Sequence, residues 1–161
     1  MSKNQNQNQN PSPTPLFQLR RIRKQFGETL AVDLDELDVS ADEILCLLGP
    51  TGAGKSTLLR ILAAVDRPTS GEALLEGTSL ASESLPLATR RRITLVFQRP
   101  ALLSGTVRWN VEYGLRLRDG NNISGEQVNR ILDRLSLTDL AEQSARTLSG
   151  GQTQLVALAR A

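Results

Sequence analysis

Apolar and polar positions alternate in two runs, residues 16–26 and Thr29–Val39, separated around Gly27. A period of two puts successive side chains on opposite faces, so the pattern predicts two antiparallel strands joined at Gly27. The next apolar stretch, Ile44-Leu45-Cys46-Leu47-Leu48, is unbroken and closes on Gly49. A short continuous run of this kind predicts a strand buried on both faces. Over residues 54–66 the spacing changes. Leu58, Leu59, Ile61, Leu62 and Val65 fall on a helical stripe that Arg67-Pro68 ends. Residues 72–75 read as a short strand, and residues 93–97 (ITLVF) as a second buried strand. Helices are predicted over residues 106–117 and 124–137. Ser124 caps the second, and Val128, Ile131, Leu132 and Leu135 line one face. A last helix begins near Gly150 and continues to Ala161, without a terminating Gly or Pro. Residues 1–15, MSKNQNQNQNPSPTP, are polar and of low complexity with nothing to bury, and predict a disordered leader.

Composition narrows the chemistry. The chain of 161 residues, 39% of them apolar, is long enough for one domain or a large part of one. A single cysteine, Cys46, rules out an internal disulfide framework. Histidine is absent, which removes a Ser-His-Asp triad, His-ligated zinc and an imidazole base. Catalysis is left to carboxylates, Lys and Arg, hydroxyls, backbone dipoles or a bound metal. The net charge of +2 is small and is spread in separate blocks. Arg20, Arg21, Arg23 and Lys24 precede Asp33, Asp35, Glu36 and Asp38, and Arg90, Arg91 and Arg92 form another run. A nucleic-acid binder concentrates its positive charge on one face, so these blocks read as solvated faces and no nucleic-acid partner is expected. No apolar run approaches the ~20 residues of a membrane span. The polar start lacks a charged and then apolar leader. A cytoplasmic location is expected, with the membrane reached only through a partner.

Gly49-Pro50-Thr51-Gly52-Ala53-Gly54-Lys55-Ser56 fits the phosphate-loop pattern G-x-x-x-x-G-K-[ST], and Thr57 follows it. The bland alternative is a glycine-rich turn with a surface lysine. The predicted strand before the loop and helix after it favour the phosphate loop. Glycines let the backbone aim several N–H groups inward, and the helix presents its positive end to the same anion. Lys55 can reach β- and γ-phosphates, and the Ser56 hydroxyl can ligate Mg²⁺.

Leu148-Ser149-Gly150-Gly151-Gln152 reads LSGGQ and opens the last predicted helix. With the phosphate loop upstream, the stretch from about residue 16 onward resembles the ATP-binding subunits of ABC transporters. Thr153 departs from the pattern, which more often has a basic residue there. The resemblance implies an α/β phosphate-loop NTPase fold of ABC type, with an N-terminal antiparallel β subdomain and a helical subdomain over about 99–148. Residues 16–161 would be a partial domain with an incomplete core sheet, ending inside the LSGGQ helix. It also implies ATP and Mg²⁺ as cofactors. In the family, the helix start at Ser149, Gly150, Gly151 and Gln152 meets the γ-phosphate of ATP held by the opposite subunit, an anion at a helix N-terminus.

Other residues take family roles by position. Gln98, at the end of the ITLVF run, matches a glutamine whose amide oxygen ligates Mg²⁺ and whose N–H orients water. Phe26 occupies the place of an aromatic that stacks on adenine, usually Tyr; an ordinary core residue is the alternative. Trp109 and Tyr113 lie where the family meets its membrane subunit, and they serve either that interface or the helix core. The family's Asp and Glu after the LSGGQ helix, and its later histidine, have no counterpart, because no apolar run closes on Asp-Glu. Phosphoryl transfer needs all these parts together, so this chain alone is expected to hydrolyse ATP negligibly. The expected partners are a membrane permease, a second ATP-binding subunit and, indirectly, an extracytoplasmic solute-binding protein. The expected activity is solute import. The stretch VFQRPALL…VRWNVEYGLRLR looks most like importers of tungstate, molybdate, related oxyanions or phosphate. The alternatives are a non-transport ATPase of the same family and a non-catalytic ATP binder.

Overall fold

In the computed structural model, which describes residues 15–120 and 123–161, the two alternating runs form an antiparallel pair. β1 (Phe17–Phe26) and β2 (Thr29–Val39) meet across a turn at Gly27, where φ is +56°. The leader expected over residues 1–15 lies, apart from Pro15, outside the described residues. The chain divides into two units, the first reaching Arg90 and the second running from Arg91 to Ala161.

In the first unit, β3 (Ser70–Leu75) and β4 (Thr78–Ser79) extend the hairpin into a four-stranded antiparallel sheet of order β2-β1-β3-β4. Leu19, Ile22, Ala73 and Leu75 are buried. Leu19 and Ile22 are three residues apart, which a period of two cannot place on one face. Arg21 resolves the mismatch: it takes φ +50°, drops out of both ladders and resets the alternation. Opposite it Gly71 has φ +89°, and a Cβ there would stand 2.1 Å from the Arg21 carbonyl oxygen. The hairpin also sets the basic block against the acidic one. Arg20 pairs bidentately with Asp38 (2.6 and 2.8 Å), and Arg23 pairs with Asp33 (3.1 Å). α1 (Lys55–Leu62) buries Leu58 and Ile61, and α2 (Leu87–Arg90) is a single turn.

Two sequence expectations fail here. Residues 44–48 and 93–97 were to be strands buried on both faces, and neither is a strand. Ile44 is 91% and Leu48 93% exposed, and Val96 and Phe97 are also exposed. Such a strand needs a ladder on its edges and cover on its faces. Among the described residues neither segment has a ladder partner.

The second unit is helical. α3 (Val107–Asp119), α4 (Gly125–Arg134) and α5 (Gly150–Arg160) pack Val107, Val111, Val128, Leu132, Leu137 and Val156 into one core. Short 3₁₀ turns at Thr138–Leu140 and Ala145–Thr147 lead from α4 to α5. Each helix begins on a hydroxyl. Thr106 accepts from the Trp109 N–H, Ser124 from the Gln127 N–H, and Ser149 from the Gln152 N–H. Asn110 is wholly buried and satisfied: it accepts from the Leu103 N–H (2.9 Å) and donates to the Leu103 and Thr106 carbonyls (3.0 Å each).

Candidate nucleotide site

The phosphate-loop segment turns on its glycines, with φ +86° at Gly52 and +80° at Gly54. Gly54 is required twice over: its φ lies in the left-handed region, and a Cβ would stand 2.1 Å from the Ala31 carbonyl oxygen of β2. The loop is therefore seated directly on the hairpin that carries Phe26. The Ala53 N–H closes a turn onto the Pro50 carbonyl (3.2 Å). Gly54 then stands at the N-cap of α1 and contributes no side-chain cap. α3, α4 and α5 all have one, whereas the first N–H groups of α1 are left to an incoming acceptor. No acidic residue lies in the first turn of α1 to repel an anion.

The Lys55 ammonium curls back over the loop and donates to the Gly49 and Pro50 carbonyls, both at 2.7 Å. Two of its three protons are thereby fixed, and the third can meet a phosphate oxygen. Ser56 is exposed and Thr57 half-buried on the first turn of α1. Gly49, Pro50 and Thr51 are exposed.

Phe26 is 51% exposed, so it is not a core residue. The Lys24 ammonium sits 4.9 Å from its ring centroid and also donates to the Arg67 carbonyl (2.7 Å). Sequence reading missed this lysine, and an i, i+2 spacing on one strand face was the available signal.

In the second unit, Gln98 lies on an irregular segment beside the first turn of α5. The two border a cavity of about 460 Å³ together with Arg99, Gly150 and Gly151. Ser149 and Gln152 form a reciprocal capping box at the start of α5. Trp109 and Tyr113 stack, with ring centroids 5.5 Å apart, each 38% exposed on the surface side of α3. Of the expected site residues, the structure thus groups Gly49 through Thr57 on the Phe26 hairpin in one unit, and Gln98 with Ser149, Gly150, Gly151 and Gln152 in the other.

These features are those of an ABC-type phosphate-loop ATPase fold. The ABC transporter family model matches residues 32–161, and the chain belongs to that family. It is 44% identical over 148 residues to the phosphate import ATP-binding protein PstB 2 of Natronomonas pharaonis, covering 84% of this chain and 52% of that protein. It is 41% identical over 147 residues to the xylose/arabinose import ATP-binding protein XacJ of Haloferax volcanii, covering 89% and 38% respectively. Among solved structures, the ATP-binding cassette MJ0796 in a dimeric post-hydrolysis state with ADP and Pi superposes with a TM-score of 0.77 at 31% identity, covering 89% of this chain and 68% of that one. CbiO1 from Clostridium perfringens, part of the ABC transporter complex CbiONQ, gives 0.73 at 26% identity, covering 91% and 60%. The chain spans about half the length, or less, of the curated relatives it matches.

Proposed function

We propose that the chain binds ATP with Mg²⁺ through Gly49, Pro50, Thr51, Gly52, Ala53, Gly54, Lys55, Ser56 and Thr57, as the ATP-binding part of an importer. The observation that carries this reading is the start of α1: a glycine turn, no side-chain cap, and a lysine folded over the loop. An uncapped helix N-terminus with an adjacent ammonium suits a polyphosphate. Ser56 supplies a hydroxyl for Mg²⁺, which when bound screens the phosphate charge, and Gln98 has an amide oxygen suited to the same ion. Phe26 offers its ring to adenine. Ser149, Gly150, Gly151 and Gln152 meet the γ-phosphate of ATP held by a second copy.

Import through a membrane permease fits the names of the relatives above, which take phosphate in one case and xylose or arabinose in the other. Such a spread supports a reading in which other subunits, including a solute-binding protein, choose the solute. An oxyanion is our preferred solute, on the stretch after Gln98. No helix among the described residues is long and apolar enough to cross a membrane, which fits a subunit bound to the inner face of a membrane through its permease.

Titration of the 161-residue chain with a fluorescent ATP analogue tests the site. Loss of the charged donor in Lys55→Ala is expected to weaken binding about ten-fold or more. Equal affinities would refute the phosphate-loop assignment. The same preparation is expected to release phosphate negligibly, and rapid steady release would overturn that part.

A further inference from the structure

Gln98 lies on a stretch without regular structure, and a backbone outside any ladder must hand its polar groups to side chains or water. Here two of its carbonyls go to side chains of one helix. Gln154 of α5 donates its amide N–H to the Gln98 carbonyl (3.2 Å). Arg160, at the far end of α5, donates to the Ala101 carbonyl (2.9 Å). Further along, Leu103 is tied in both directions to buried Asn110. The stretch is thus held by its backbone, and among the described residues no hydrogen bond holds the Gln98 side chain.

We propose that Gln154 and Arg160 are positioning residues that fasten the Gln98 segment to α5, so that a movement of the Ser149 end of that helix carries Gln98 with it. This rests on the nucleotide role proposed above for Gln98 and Ser149. The bonds join side chain to main chain, so they hold the segment's path rather than the Gln98 amide. Their separations, 56 and 59 residues along the sequence, make them tertiary ties and not local turns. Gln154 is exposed, so its loss is felt where it binds and not in the core.

The test uses two variants of the 161-residue chain. Gln154→Glu keeps the shape but replaces the donor with an acceptor, and Arg160→Met keeps the apolar stem without the guanidinium. Exchange of the Leu103 amide, held by Asn110 at the end of the stretch, is expected to rise about five-fold in each, the worth of one ordinary hydrogen bond, with residues 107–117 unchanged. Titration with ATP should then show Gln154→Glu losing the Mg²⁺-dependent gain in affinity, as is expected of Gln98→Ala, while its Mg²⁺-free affinity is kept. Unchanged exchange, faster exchange spread over α3 as well, or a retained Mg²⁺ gain alongside faster exchange would each overturn the proposal. Should Lys55→Ala bind ATP as tightly as the unaltered chain, the nucleotide reading falls, and exchange alone still decides whether the two side chains fasten the segment.

Discussion

Ser149 and Gln152 cap each other. The Gln152 N–H donates to the Ser149 hydroxyl (3.3 Å), and the Ser149 N–H donates to the Gln152 amide oxygen (2.8 Å). Two residues of the LSGGQ run are therefore spent on starting α5. The N–H groups of Gly150 and Gly151 and the Ser149 hydroxyl proton are left for an anion.

Ser149→Ala is expected to cost about 1 kcal/mol of stability through loss of the cap. Gln152→Glu keeps the box and should be near neutral in stability, yet it puts a carboxylate beside the proposed γ-phosphate contact. Urea unfolding followed by circular dichroism measures the first effect. ATP-dependent self-association measures the second, and it should weaken.

Asn110 offers a sharper stability test. Asn110→Leu leaves the partly buried Leu103 N–H and carbonyl without their partners, at a cost of about 2 kcal/mol. The urea midpoint should fall with an unchanged slope. A variant as stable as the parent would show that water or a shifted backbone satisfies those groups.

Gly71 faces Arg21 across a gap that no side chain can enter. Gly71→Ala combines a left-handed φ with a backbone overlap, so about 2–4 kcal/mol of destabilisation is expected. The atoms a Cβ would meet belong to Arg20 and Arg21 and not to the phosphate loop, so protein that remains folded should keep its proposed affinity for ATP.

The Arg20–Asp38 pair gives a pH dependence with a definite sign. The Arg20 guanidinium hydrogen-bonds the Asp38 carboxylate and holds its pKa below the ordinary value, outweighing desolvation. The native carboxylate therefore loses its proton more readily than the unfolded one. Its stabilising effect is present above the usual carboxylate pKa of about 4 and is lost as pH falls through the depressed native value. Arg20, its pKa raised by the same bond, stays charged throughout. Asp38→Asn should flatten the acid side of a stability–pH profile measured by urea unfolding. An unchanged acid slope would count against the pair.

Local signals were legible in the sequence and tertiary ones were not. The hairpin followed from alternation, and Ser124 as a cap followed from a hydroxyl ahead of an apolar stripe. The residues of the proposed phosphate loop are contiguous, so their spacing alone carries that reading. The apolar runs at 44–48 and 93–97 were misread because hydrophobicity reports what a segment would bury, not whether neighbours are there to cover it. The left-handed Arg21 gave no sign, since non-glycine residues adopt that region only when surrounding packing compels it. Asn110 was hidden in an apolar stripe, where a polar residue is readable only once its loop partners are known. The Gln154 and Arg160 ties were invisible because they join parts of the chain more than fifty residues apart.

The chain has one tryptophan, and its place gives it a spectroscopic use. The indole of Trp109 stacks on Tyr113, and on another side it lies so near Gly105 that a Cβ there would come within 3.0 Å of the ring. Gly105 closes the stretch that Gln98 begins. Intrinsic emission is thus an unlabelled gauge of that stretch: any rearrangement that lifts Gly105 from the ring alters the wetting of a single chromophore, with no second indole to blur the signal.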